Sequence, residues 1–115
     1  MDDSRISRRQ ILSLIDTEHF NITECANGSE ALEQIAKQDF DLMLLDLLMP
    51  VLDGIAVLQY LKDKNINQKT IVLSADIQIA TKTEVMELGA KAFLNKPPDK
   101  GLLNSTIYNV LSLTE

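Results

Sequence analysis

The sequence predicts a single doubly wound α/β domain. Short apolar runs alternate with helical patterns along the whole chain, several runs end in a polar residue, and Gly or Pro marks the joints. At 115 residues the chain is long enough for one compact domain and too short for two, so residues 1–115 are read as one unit.

Ser4 to Leu14 reads as a helix, with Ile6, Ile11, Leu14 and Ile15 near helical spacing and Ser4 able to cap it. His19 to Cys25 alternates in polarity and reads as a short strand. Asn27-Gly28 signals a turn, and Ser29 to Gln38 carries Ala31, Leu32 and Ile35 on one helical face. Asp41 to Asp46 is a near-continuous apolar run that closes on a carboxylate. Periodicity alone cannot separate strand from buried helix there, but its length between polar boundaries favours a strand covered on both faces, as parallel sheets require.

Pro50 interrupts regular structure, and Asp53-Gly54 opens a third helix running to about Lys64. Lys69 to Ser74 repeats the pattern of apolar strand and polar end. A fourth helix runs from about Ile79 to Leu88 and stops at Gly89, a residue suited to the position after a helix. Lys91 to Asn95 reads as a strand ended by Lys96-Pro97-Pro98. Asp99 caps a last helix reaching about Leu113.

Composition excludes several functions. The apolar fraction of 45% and charged fraction of 24% are those of an ordinary globular chain. The net charge of -6 speaks against nucleic acid, which needs clustered Lys and Arg to neutralise phosphates. Arg5, Arg8 and Arg9 form the only basic cluster, beside Asp2 and Asp3. The single cysteine, Cys25, permits no internal disulfide and suits a cytoplasmic location. The most apolar stretch, Leu42 to Leu52, is broken by Asp46 and Pro50 and is far short of a membrane span.

In a doubly wound fold the right-handed crossovers put every strand's carboxyl end on one edge of the sheet, where ligands bind. Asp46, Ser74 and Lys96 each lie at or just past such an end. Singly, each has a plainer reading: Asp46 as a loop cap, Ser74 as a turn residue, Lys96 as a solvated lysine, and Asp2–Asp3 as compensation of a helix dipole. Together they define a chemistry. Asp3 and Asp46, with Asp2 close by, would repel one another at neutral pH unless a cation resolved them, and hard oxygen ligands select Mg²⁺. A phosphoryl group could then be accepted by the Asp46 carboxylate, with Lys96 as a point charge and Ser74 as a hydroxyl donor.

These residues resemble the receiver domains of two-component response regulators. The resemblance is carried by Asp2-Asp3, by Asp46-Leu47-Leu48-Met49-Pro50 with Asp53-Gly54, by Ser74-Ala75, and by Lys96-Pro97, with Gly89-Ala90 and Phe93 at matching positions. It covers all but the family's first strand. It implies a flavodoxin-like parallel sheet of order 2-1-3-4-5. It also implies Asp46 as phosphoacceptor, Asp3, Asp46 and the Leu48 carbonyl as Mg²⁺ ligands, Asp2 acting through water, and Ser74 and Lys96 on the phosphoryl oxygens.

Further implications are a switch through Ser74 and Phe93, which reshapes the surface of the family's fourth helix, fifth strand and fifth helix, and a cis Lys96–Pro97 bond. The partners implied are a sensor histidine kinase or phosphotransfer protein and a downstream protein target, with no nucleic acid and no membrane. The chain is then no enzyme beyond accepting its own phosphoryl group and losing it slowly, shielded by Leu48. Phe93 can equally be plain core.

The departures matter too. Only Met1 precedes Asp2 where the family has a short apolar strand. Losing two or three buried side chains at ~1.5–3 kcal/mol each is comparable to a domain's ~5–15 kcal/mol. A start assigned too late, a truncation, or a variant that fills the gap by strand exchange or homodimer formation would account for it. The alternative function is a pseudo-receiver used as a phosphorylation-independent dimerisation or docking module. A phosphatase with an aspartyl nucleophile ranks last, because Leu48 stands where such enzymes carry a second acid.

Overall fold

The computed structural model describes residues 5–15, 20–46, 54–74, 79–96 and 98–111. Asp2, Asp3, Leu48 and Pro97 lie outside these residues, as do His19, Pro50 and Asp53, so the expectations that fall on them have no structural counterpart here.

The described elements alternate as expected: α1 (Arg5–Leu14), α2 (Gly28–Lys37), β1 (Met43–Asp46), α3 (Gly54–Asp63), β2 (Thr70–Ser74), α4 (Ile79–Glu87), β3 (Ala92–Asn95) and α5 (Lys100–Leu111). The strands form one sheet of order β1-β2-β3 with both pairings parallel. Met43 stands opposite Thr70 and Asp46 opposite Leu73; Ile71 stands opposite Ala92 and Ser74 opposite Asn95. In the order 2-1-3-4-5 these are the third, fourth and fifth strands.

Helices cover both faces. Met43, Leu45 and Val72 point into a cluster with Val57, Leu58 and Leu61 of α3 and Val85 of α4. Ile71, Leu73 and Leu94 point the other way, onto Ile11 of α1 and Leu103 and Ile107 of α5. This alternation is why the strand sequences read as continuous apolar runs: successive side chains enter opposite layers, and both layers are dry. Every residue of β2 is buried, as befits the strand with a neighbour on each side.

Local chemistry sets the helix ends. The Asn27 side chain accepts the Glu30 N–H at 2.9 Å and caps α2. The Asp99 carboxylate accepts the Leu102 N–H at 2.9 Å and caps α5. At the end of α4, Gly89 takes φ of 108°, its N–H donates to Met86 O, and the Ala90 N–H donates to Val85 O, a full Schellman motif. Asn65, at φ 55°, closes α3 in the same way, with the Ile66 N–H donating to Leu61 O.

Of the strand expected over His19–Cys25, the described part, residues 20–25, is not formed. Residues 20–25 join no ladder and take part in no backbone hydrogen bond among the described residues. Asn21, Ile22, Thr23 and Glu24 are exposed, and the segment is tied to α1 by the Arg8–Glu24 ion pair at 3.2 Å. The reason is physical. A strand exists by pairing, and in the order 2-1-3-4-5 the second strand pairs only with the first.

Candidate functional site

Three parallel strands end on one edge, and each delivers one polar side chain there. Asp46 closes β1, Ser74 closes β2, and Lys96 follows the last residue of β3. The Lys96 N–H donates to Ser74 O at 2.9 Å, which carries the β2–β3 ladder one step beyond the strand and fixes the Lys96 backbone beside Ser74.

The Lys96 side chain then crosses the end of β2. Its Nζ lies 3.2 Å from Asp46 Oδ2. Neighbouring strands are about 4.8 Å apart, so backbones two strands apart are separated by roughly 10 Å and only a long side chain can bridge them. Lysine has that reach. Asp46 is 8% exposed and Ser74 1%, so both polar groups sit where desolvation disfavours a lone charge. The ammonium supplies the compensation, while its alkyl stem lies over the strand ends.

Sequence reasoning brought Asp46, Ser74 and Lys96 to one edge, and the structure places them there. It assigned Lys96 to the oxygens of a bound group and missed the direct pairing with Asp46. Strand order held that signal: the two residues lie at the ends of the strands on either side of β2. Phe93 is half-buried and packs on the cluster containing Leu45, Val72 and Val85, so in this structure its ring is a core contact. Among the described residues no group of three or more His, Cys, Asp or Glu could hold a metal ion. Of the expected Mg²⁺ ligands only Asp46 is described, and its carboxylate is the hard oxygen donor that this cation takes.

A parallel sheet covered on both faces, with an acid, a hydroxyl and an amine gathered at its carboxyl edge, defines the receiver class of signalling domain. The chain belongs to the response regulator receiver domain family, whose model matches residues 1–108. It is 34% identical over 113 residues to the transcriptional regulatory protein ZraR of Escherichia coli K12, covering 97% of this chain and 26% of that protein. It is 31% identical over 111 residues to the cell cycle transcriptional regulator CtrA of Caulobacter vibrioides, covering 96% of this chain and 48% of CtrA. The chain therefore spans about a quarter of one relative and about half of the other.

Among solved structures it is similar to the receiver domain of the Francisella response regulator 1452, with a TM-score of 0.86 and 29% identity over 96% of this chain and 92% of that one. It is equally similar to a chain of the CheX–CheY–BeF₃–Mg²⁺ complex of Borrelia burgdorferi, with a TM-score of 0.86 and 29% identity over 95% and 84% of the two chains. The flavodoxin-like fold is thus established, with three of its five strands formed among the described residues. No helix among those residues is long and apolar enough to cross a membrane.

Proposed function

We propose that this domain receives a phosphoryl group on Asp46 from a sensor histidine kinase or phosphotransfer protein and passes the signal to a downstream protein through the surface of α4, β3 and α5. The observation that carries this reading is the Lys96–Asp46 pair at 3.2 Å, held beside the buried Ser74. A nearly dry carboxylate with one cation already against it is a prepared nucleophile and not a solvated surface acid.

The reaction is a transfer between oxygen or nitrogen and oxygen. An Asp46 carboxylate oxygen forms a bond to phosphorus as the bond to the donor breaks, and the leaving group keeps the electron pair. The product is a mixed anhydride. Lys96 exchanges its contact with the carboxylate for one with the incoming phosphoryl oxygens, so its charge follows the charge that moves. Ser74 offers its hydroxyl to the same oxygens. Mg²⁺, held by Asp46, Asp3 and the Leu48 carbonyl with Asp2 acting through water, would supply charge neutralisation for the phosphoryl group. Phe93, now packed on the core, is the side chain placed to turn when Ser74 moves, because its neighbour on β2 is Val72, two residues before Ser74. Both partners and the relay belong to the cytoplasm.

The test is incubation of the full chain with acetyl phosphate and Mg²⁺, followed by intact mass. A gain of one phosphoryl group, lost with EDTA and absent in Asp46→Asn, is the expected result. Modification that persists in Asp46→Asn would overturn the assignment.

A further inference from the structure

A cavity of about 240 Å³ lies at the amino ends of β2 and β3, on the edge of the sheet opposite Asp46. The ends of α3 and α4 wall it. Leu58 and Leu61 are buried at its floor, Leu88 is half-buried, and Ile66 stands exposed at its lip. An apolar cavity of only ~150 Å³ already holds one benzene ring, and pockets for drug-sized molecules run to about 300–1,000 Å³. This space therefore suits one compact apolar group, such as a ring with a short chain.

Local backbone chemistry sets its shape. α3 closes through Asn65 at φ 55°, with the Ile66 N–H donating to Leu61 O at 2.9 Å. α4 closes through Gly89 at φ 108°, with the Ala90 N–H donating to Val85 O at 3.1 Å. Gln68 holds the third wall: its Nε2 donates to Phe40 O at 3.1 Å and to Lys69 O at 3.2 Å. A cavity formed in advance loses little to ordering when a ligand enters.

The rim defines the ligand's other end. Lys62, Glu87 and Lys91 are exposed, line the cavity and form no ion pair among the described residues. Lys62 lies in the last turn of α3, where a cation answers the helix dipole. Lys91 follows α4 after the helix has closed at Gly89, so the dipole does not account for it. Two positive charges against one negative leave the rim net positive, on a chain whose net charge is -6. One carboxylate matches that rim. A run of acids would meet Glu87, and a neutral molecule would leave both lysines unused.

We infer that this cavity binds a small monocarboxylic acid with a compact apolar body, of the arylalkanoate class. The body rests on Leu58, Leu61 and Leu88 and covers Ile66, and the carboxylate meets Lys62 and Lys91. The site is remote from Asp46, and the inference stands whether or not Asp46 accepts a phosphoryl group.

The probe is 3-phenylpropanoate, titrated into the full chain while backbone amide resonances are followed. The expected result is saturable shifts confined to residues 58–68 and 87–91. Acetate, which lacks the body, and 3-phenylpropanamide, which lacks the charge, should each bind about tenfold more weakly or worse. The double variant Lys62→Gln with Lys91→Gln, with unchanged far-ultraviolet circular dichroism, should also lose about tenfold. Glu87→Gln should tighten binding by about twofold, because it removes the like charge. Equal binding of acid and amide, full affinity in the double variant, or shifts scattered over the surface would each overturn the inference. So would about tenfold tighter binding of acetyl-GSGSF with a free carboxyl end, which would make the cavity a reader of polypeptide termini.

Discussion

Lys96 and Asp46 meet at 3.2 Å across the end of β2, a strand to which neither belongs. The two partners are not equivalent. The Asp46 side chain is 10% exposed on a short stem, whereas Lys96, at 18%, carries a long flexible one. Lys96→Met removes the cation from a buried carboxylate and should cost about 1–3 kcal/mol. Asp46→Asn keeps the shape and lets the ammonium turn to solvent, so its cost should stay within about 1 kcal/mol. Urea unfolding of the two variants under one buffer checks the order. Asp46→Asn proving the more damaging would show that Lys96, not Asp46, depends on the pair.

Gly89 and Asn65 close two helices with the same hydrogen-bond pattern but different backbone angles. At φ 108°, Gly89 is beyond the region that side chains adopt, and a Cβ placed there would meet nothing within 4 Å. Gly89→Ala should therefore destabilise by about 1–2 kcal/mol through backbone strain alone. Asn65, at φ 55°, occupies the left-handed well that asparagine tolerates. Asn65→Gly should change stability by less than about 1 kcal/mol, whereas Asn65→Val should lose at least as much as Gly89→Ala. Thermal midpoints of the three variants test this.

The site was legible in the sequence because it depends only on where strands end. Asp46, Ser74 and Lys96 each follow an apolar run, and parallel topology does the rest. The boundaries were less legible. Apolarity begins at Leu42, but the ladder begins where a partner is available, at the Met43 N–H donating to Lys69 O. The segment 20–25 was illegible for a deeper reason. Alternation in Phe20, Ile22 and Glu24 is a property of one segment, while a strand is a property of two, and the alternation itself says nothing of the neighbour. Asn104 left no trace either. Its role depends on α1 and α5 lying side by side, which no local pattern encodes.

Asn104 ties the last helix to the first. Its Nδ2 donates to Leu14 O at 2.7 Å, satisfying a carbonyl in the last turn of α1, and to Lys100 O at 2.8 Å within α5. Asn104→Ala removes both bonds and leaves the Leu14 carbonyl to water. A loss of about 1–2 kcal/mol is expected. Amide exchange should accelerate in the last turn of α1 more than in β2, which separates loss of this bond from general destabilisation.

Cys25 gives the domain a dependence on alkali. Burial raises its thiol pKa above the ordinary value of about 9, and the charge of Glu30 acts in the same direction, against a smaller opposing pull from Arg8. Because the folded value lies above the unfolded one, the protonated thiol contributes stability in full below about pH 9. That contribution is lost as pH rises through the folded value, since the unfolded chain releases its proton first. Unfolding midpoints measured between about pH 8 and pH 10.5 should fall in the native chain and fall less steeply in Cys25→Ala. Alkylation by iodoacetamide should be slow at neutral pH and should accelerate sharply in urea, where the thiol regains both water and its ordinary acidity. A thiol that reacts at neutral pH as fast in the folded chain as in urea would contradict its burial.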